Sequence, residues 1–198
     1  MKIAVLIFYY MSIFIILWAM VGYPLSLNIL KRVYKKRSLK KDYSYQPTVT
    51  VMVVAHNEEK VIYEKLENIV ALNYPKDKIE FLIASDNSTD RTNEIVRNFI
   101  NNHTDYKISL FEVNQRKGKT NAQNEAQKTV KSEILVMTDA NSMLDINAIK
   151  ELVAAFSSED ISYVSGRLIY TNKEYSEVTN SENTYWDTDT KWRKIESD

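Results

Sequence analysis

The chain has 198 residues, with 26 Lys+Arg against 26 Asp+Glu, no cysteine, three glycines and two histidines. The balanced charge offers no support for a nucleic-acid partner, and the lack of cysteine excludes a disulfide framework, a thiol nucleophile and a cysteine-rich zinc site. The glycines, Gly22, Gly118 and Gly166, are too scattered for a Gly-x-Gly-x-x-Gly or Walker-type phosphate loop, and two histidines argue against a multi-histidine metal site.

An uncharged apolar segment comes first in the chain. Residues 3–30 carry no charged side chain, and residues 3–21 are enough to cross a bilayer core of roughly 30 Å. A cleaved signal peptide is the alternative, but only Lys2 precedes the run and no Ala-x-Ala-like site follows it. The seven positive charges of residues 31–41 follow the run. By the positive-inside rule we predict a single-pass anchor in the cell membrane, with the rest of the chain on the cytoplasmic side.

Short apolar strands and amphipathic helices alternate from Pro47 onwards. Helices with apolar residues at three- and four-residue spacing separate the strands that we predict at residues 48–55, 79–85, 108–113, 133–138 and 161–170. The alternation predicts an α/β fold with a mainly parallel sheet and flanking helices. Ligands of such sheets bind at the carboxyl ends of the strands. We therefore expect four polar clusters to meet at one edge of the sheet, namely residues 56–58, 86–90, 114–119 and 139–141.

Each cluster also has a purely structural interpretation. Asp90 precedes a predicted helix, as an N-cap does, and Glu58 could complement a helix dipole. The basic residues 116–119 surround a glycine at a helix start, which suits either a phosphate or a solvated loop. Asp86 directly follows a strand, where its carboxylate could accept hydrogen bonds from a base or a ribose.

Asp139 and Asn141 form the fourth cluster. Two residues apart in an extended chain, they point the same way and can share a hard cation such as Mg²⁺ or Mn²⁺. Turns favour the same two residue types, so the pair by itself does not distinguish a turn from a metal site.

Four motifs, taken in order, resemble those of family 2 glycosyltransferases, which have the GT-A fold, a Rossmann-like sheet. They are "VMVVAHNEE", "LIASDNSTDRT", "RKGKTNAQNEA" and "ILVMTDANSMLD", and the resemblance runs from about Pro47 to at least Gly166. It implies an inverting, metal-dependent (Mg²⁺ or Mn²⁺) transfer of sugar from a nucleotide-sugar donor, most often UDP-linked, to a polysaccharide or glycolipid acceptor. Because membrane members of the family build polysaccharides, other polysaccharide-assembly membrane proteins are implied partners.

The resemblance also implies roles for individual residues. Residues 55–58 would line the nucleoside pocket, Asp86 would contact the base, and Asp139 would contact the ribose or metal-bound water. Asn141 would face the metal and the diphosphate. The donor-binding residues implied in this way are Ala55, His56, Asn57, Glu58, Asp86, Ser88, Asp90, Arg116, Lys117, Lys119 and Asp139. The implied metal ligands are Asp139 and Asn141.

Two departures from the family pattern stand out. The family carries Asp-x-Asp where this chain has Asn141, and a neutral amide oxygen should lower the affinity for a metal. The family's general base, a later aspartate, and the Gln-x-x-Arg-Trp motif of processive members are not recognisable. The carboxylates in the last part of the chain fall too early to match and fit a solvated helix face. They are Glu182, Asp187, Asp189 and Glu196.

We therefore expect the base beyond Asp198 and read the chain as the N-terminal part of such an enzyme. Its predicted parts are a transmembrane anchor (1–30), a basic juxtamembrane linker (31–46), a nucleotide-sugar-binding GT-A half (47–170) and the incomplete start of the acceptor-side region (171–198). The alternative is a non-catalytic, membrane-anchored fragment that acts as a structural or partner-binding module. A nucleotidyltransferase on a related sheet is disfavoured, because the glycine-rich N-terminal loop with a basic residue that is expected of such an enzyme is absent. The corresponding stretch, "VVAHNEEK", contains no glycine.

Overall fold

The structure is a computed structural model that describes residues 2–33, 40–158 and 160–167. Residues 40–166 form one compact unit, and the N-terminal helix belongs to another. The fold of each unit follows from its own pattern of apolar residues.

A long helix begins at Lys2. It consists of α1 (Lys2–Leu17), a π-helical turn (Trp18–Gly22) and α2 (Tyr23–Val33). The wide turn accommodates Pro24, which has no N–H to donate and would clash with the carbonyl four residues earlier; the Tyr23 N–H bonds to the Trp18 carbonyl instead. Lys2–Leu30, whose most apolar window of 18 residues has a mean hydropathy of 2.4, could cross a membrane by its length and composition. The predicted N-terminal helix is thus confirmed, whereas its insertion and orientation stay predictions.

Four parallel strands in the order β3-β2-β1-β4 make up the sheet of the second unit. The strands are β1 (Val49–Ala55), β2 (Ile79–Ser85), β3 (Ile108–Glu112) and β4 (Ile134–Asp139). The helices are α3 (Ile62–Val70), α4 (Thr92–Asn102), α5 (Lys119–Ala126), which continues into a 3₁₀ turn (Gln127–Thr129), and α6 (Ala148–Ala155). The predicted α/β fold with a parallel sheet is confirmed.

The central strand β1 is buried on both faces, as its unbroken apolar sequence predicts. Val51 and Val53 pack in one core with the apolar residues of α3, α4 and α6. Met52 and Val54 pack in a second core with the alanines of α5. The helices therefore cover both faces of the sheet and leave the strand ends as the place where polar residues can gather.

The strand register brings the carboxyl ends level with one another. Ala55 of β1 pairs with Ser85 of β2, and Val54 of β1 pairs with Asp139 of β4. On the other side of β2, Ser85 pairs with Glu112 of β3. The polar residues that follow β1, β2 and β4 therefore start from the same edge.

The fifth predicted strand is wrong as far as the structure describes it. Residues 161–167 belong to no strand, and Tyr163 is 79% exposed. Residues 168–170 and the carboxylates of the 171–198 region lie outside the described residues. β-Branched and aromatic residues favour a strand only where a neighbouring strand pairs with them. Ile146 lies in the turn before α6 and is 56% exposed.

The end of the predicted linker packs on the domain. The Asp42 N–H donates to the carbonyl of Ala154 (3.1 Å), and Lys41 Nζ forms an ion pair with Glu151 (2.8 Å). Tyr43 OH donates to the same carboxylate (3.1 Å). Residues 40–46 are thus part of the compact unit, whereas 34–39 lie outside the described residues.

Candidate functional site

A cavity of about 250 Å³ lies at the carboxyl edge of the sheet. Its walls come from the ends of β1, β2 and β4 and from the basic loop before α5. The lining residues are Val54, Ala55, His56, Glu58, Asp86, Arg116, Gly118, Lys119, Asp139 and Asn141. Eight of the twelve residues singled out from the sequence thus share one cavity.

Three of the other four residues tie two loops together beside the cavity. Asn57, whose φ of 56° is in the left-handed region that asparagine tolerates, donates its N–H to Ser88 Oγ (3.2 Å). The Thr89 N–H returns a bond to Asn57 Oδ1 (2.8 Å). A further bond joins His56 Nδ1 and the Asp86 carbonyl (2.8 Å). These contacts fix the loop after β1 against the loop after β2.

Asp90 is the third of these residues and does more than cap a helix. Its carboxylate accepts the N–H of Thr92 (3.0 Å) at the start of α4 and the N–H of Glu59 (3.1 Å) in the loop after β1. The Glu59 side chain in turn accepts the Arg91 N–H (3.2 Å). Burial alone would raise the pKa of Asp90, but the hydrogen bonds from Thr92 and Glu59 outweigh it and hold that pKa below its ordinary value.

The buried carboxylate of Asp86 holds the basic loop. It accepts the N–H groups of Lys117 (3.2 Å) and Gly118 (3.0 Å). Gly118 has a φ of 92°, which only glycine adopts without strain. Because these two amides are engaged, the loop offers the cavity the side chains of Arg116 and Lys119. Lys117, the fourth residue outside the cavity, lines a neighbouring groove.

The Asp139-Ala140-Asn141 stretch is both a turn and a wall of the cavity. The Ser142 N–H donates to the Asp139 carbonyl (3.3 Å), and Ala140 is buried. The Asp139 carboxylate forms an ion pair with Lys119, and both side chains are about half exposed. The two interpretations that the sequence left open are therefore compatible.

The same order of strands, loops and motifs occurs in known proteins. The family model for glycosyl transferase family 2 matches residues 50–197. The chain belongs to this family. The GT-A fold that the resemblance implied is confirmed by a solved relative, a mannosyltransferase from Pyrobaculum calidifontis in complex with GDP-Man and Mn²⁺. That structure is 35% identical with a TM-score of 0.66, and the match covers 71% of this chain and 42% of the relative.

Two curated relatives in this family have named products. A poly-β-1,6-N-acetyl-D-glucosamine synthase of Staphylococcus epidermidis (strain RP62A) is 31% identical, and the match covers 72% of this chain and 33% of that protein. A β-monoglucosyldiacylglycerol synthase of Nostoc sp. (strain PCC 7120) is 27% identical, and the match covers 71% and 28%. The chain spans a third or less of the length of these family 2 relatives.

The donor atoms in the cavity suit a metal that is held together with a diphosphate. Asp139, which carries a carboxylate, and Asn141, which carries an amide oxygen, both line the cavity. In the described residues no group of three or more acidic, histidine or cysteine side chains is placed to hold a metal alone. Mg²⁺ is typically bound by one or two carboxylates and by substrate phosphates, so the donor set fits a metal whose other ligands come from a phosphate group.

Lys65 was not singled out from the sequence, yet it lies directly behind the site. Its side chain is fully buried on α3, and Nζ donates to Thr138 Oγ1 (3.0 Å) and to the Ser142 carbonyl. Burial lowers the pKa of this ammonium group from 10.5 to about 8, although the nearby Asp139 carboxylate opposes the shift. The signal was present, since Lys65 falls on the helix face of Ile62 and Leu66.

This lowered pKa predicts how stability depends on pH. Between about pH 8 and 10.5 the folded chain has lost the Lys65 proton while the unfolded chain still binds it. The free energy of unfolding should therefore rise with pH in this window, by up to about 1.4 kcal/mol per pH unit from this group. Urea denaturation of the full chain in detergent measures it, with Lys65→Met as the control. The difference, wild type minus variant, should increase from pH 8 to 10.5; a flat difference would contradict the prediction.

Proposed function

We propose that the chain is the donor-binding part of a membrane-anchored glycosyltransferase that transfers sugar from a nucleotide-sugar to a polysaccharide or glycolipid acceptor. The observation that carries the proposal is the cavity at the sheet edge. It joins a partly buried pocket after β1 to two basic side chains, Arg116 and Lys119, and to the oxygens of Asp139 and Asn141. A nucleoside diphosphate has the matching order of parts, a flat base and ribose followed by two phosphates.

The two ends of the cavity suit the two ends of the donor. Ala55, His56, Glu58 and Asp86 would line the base and ribose, as expected from the family resemblance. The guanidinium of Arg116 and the ammonium of Lys119 would face the diphosphate, where positive side chains form strong charge-assisted hydrogen bonds. Lys119 is paired with Asp139 in the structure, and a diphosphate would take over that ammonium group. The Asp139 carboxylate would then be free to face a cation.

The reaction would be a single displacement with inversion at the anomeric carbon. A Mg²⁺ or Mn²⁺ ion held by Asp139 and Asn141 would stabilise the departing diphosphate. Arg116 and Lys119 would add positive charge at the same place. We expect the acceptor hydroxyl to be deprotonated by an aspartate outside the described residues. The N-terminal helix would anchor the domain on the cytoplasmic side, where the acceptor would be a growing polysaccharide or a lipid.

The identity of the nucleobase in the donor is the first point to test. Family 2 donors are most often UDP-linked, and we propose UDP here; the solved mannosyltransferase relative holds GDP-Man. Isothermal titration of the full chain in detergent with UDP and with GDP, each with and without Mn²⁺, separates the two. UDP is expected to bind more tightly, and more tightly still with Mn²⁺.

The variant Asp139→Ala tests the metal site. It should keep the fold but bind UDP no more tightly with Mn²⁺ than without it. Binding of GDP in preference to UDP would overturn the choice of donor but not the proposed function. A folded sample that binds neither nucleotide would overturn the proposed function and leave the non-catalytic module as the better description.

A further inference from the structure

Lys65 lies in the interior of the domain, behind the cavity. It occupies the face of α3 that packs against the sheet, between Ile62 and Ile69, and its side chain is fully buried. A buried ammonium group costs free energy unless polar atoms replace the lost water. A protein is often equally stable with an apolar side chain of similar size in such a place. The reason for a lysine at this position therefore lies in its contacts.

The two acceptors of this ammonium group lie on either side of the Asp139-Ala140-Asn141 turn. Thr138 Oγ1, 3.0 Å from Nζ, belongs to the residue directly before the turn, and the Ser142 carbonyl belongs to the residue directly after it. Both acceptors are neutral. The ammonium group of this lysine therefore bridges the two ends of a short turn, which no apolar side chain could do.

A second side chain of α3 holds the same segment further along. Asn68 Nδ2 donates to the Leu144 carbonyl (2.9 Å), and the Leu144 N–H donates to Asn68 Oδ1 (2.8 Å). These bonds resemble those of Lys65 in kind, but they hold the chain beyond the turn. Asn68 is therefore a matched control for Lys65.

We propose that Lys65 is a positioning residue of the donor site, whose ammonium group keeps the oxygens of Asp139 and Asn141 directed into the cavity. Lys65 does not itself line the cavity, so it acts on the donor through the turn. The proposal rests on the proposed function for the identity of the ligand, but its hold on the turn can be tested without one.

The binding test compares a ligand that reaches the turn with one that does not. Affinities for UDP with Mn²⁺ and for uridine are measured on the full chain, or for GDP and guanosine if that base is preferred. Lys65→Met should weaken diphosphate binding about tenfold, since small misplacements of binding groups have large effects, and change nucleoside binding less than about twofold. Asn68→Ala should leave both affinities within about twofold.

Thr138→Val provides a second variant in case Lys65→Met does not fold. It removes one acceptor while the lysine remains, and it should weaken diphosphate binding in the same selective way. Equal losses for the diphosphate and the nucleoside would overturn the proposal, because they indicate general loosening of the domain. An equal loss in Asn68→Ala would overturn it as well.

Hydrogen exchange tests the hold on the turn without a ligand. Amides of residues 139–142 should exchange faster in Lys65→Met, while those of β1 and β2 keep their wild-type rates. Unchanged exchange at 139–142 would overturn the proposal. If the wild-type chain binds no nucleotide, the proposed function fails, and this exchange experiment still decides whether Lys65 holds the turn.

Discussion

Replacing Asp139 with asparagine is expected to weaken Mn²⁺ binding in the presence of UDP by about a hundredfold, which is about 2.7 kcal/mol. Asp139 is the one carboxylate of the proposed metal pair, and its loss leaves two neutral amide oxygens at positions 139 and 141. Two unit charges about 4 Å apart interact by about 4 kcal/mol at an effective dielectric constant of 20. Since Mn²⁺ is divalent, a hundredfold is a modest expectation.

The reverse change tests the same charge argument. Asn141→Asp restores a second carboxylate beside Asp139 and should strengthen Mn²⁺ binding about tenfold or more. Electron paramagnetic resonance of free Mn²⁺, titrated against the full chain with UDP, measures both variants. Asp145→Asn is the control, because that carboxylate bonds to the Asn147 N–H (2.8 Å) and does not line the cavity. Weaker Mn²⁺ binding by Asn141→Asp would contradict the assignment of the metal to this pair.

The metal-free affinity for UDP should respond in the opposite direction. Asp139→Asn removes the ion-pair partner of Lys119, so the ammonium group becomes available to the diphosphate. UDP binding without Mn²⁺ should therefore stay equal or become tighter in this variant. A loss of metal-free binding would mean that Asp139 supports the site in some way other than by charge.

Replacing Asp86 with alanine is expected to lower the free energy of unfolding by about 3–5 kcal/mol. The buried carboxylate accepts two backbone N–H groups, those of Lys117 and Gly118, and hydrogen bonds to charged groups each contribute about 1.5–3 kcal/mol. Without Asp86 the two amides lose their acceptor, and the basic loop loses its attachment to β2. Chemical denaturation of the full chain measures the loss.

Two further variants make this result specific. Asp86→Asn should also destabilise the domain, since an NH₂ group then faces an N–H donor. Asp105→Ala is the control, because it removes an acid from an exposed ion pair with Lys76 (2.8 Å) and should cost less than about 1 kcal/mol. If Asp86→Ala is no more destabilising than Asp105→Ala, the bonds to the loop do not stabilise the folded chain.

The Asp86 contacts also bear on donor recognition. Both carboxylate oxygens are engaged by the loop amides, so a contact with the base would share or replace one of these bonds. A role in the nucleoside pocket would therefore couple donor binding to the position of the basic loop. Lys65 bonds to Thr138 and Ser142 instead, so the binding tests on Lys65 address a different contact.

The sequence predicted the strand positions well because strand patterns are local. Runs such as 79–85 carry their apolar residues within one short segment, and the observed β2 has these bounds. The prediction of a fifth strand was wrong for the same reason. Residues 161–167 have side chains that suit a strand, but a strand also needs a partner strand, which no local pattern supplies.

The amino-acid sequence by itself determined the α/β alternation, the apolar N-terminal helix and the ends of strands at which polar residues gather. Only the tertiary structure decided how those polar residues divide into roles. Asp86 bonds to a loop 31 residues further along, and Lys65 bonds to a residue 73 positions away. Periodicity describes neighbours in the chain, whereas burial and hydrogen bonds at the site depend on residues that meet only when the sheet forms. For that reason the sequence indicated most of the residues that line the cavity, whereas only the folded structure shows the contacts that Lys65 makes with the turn.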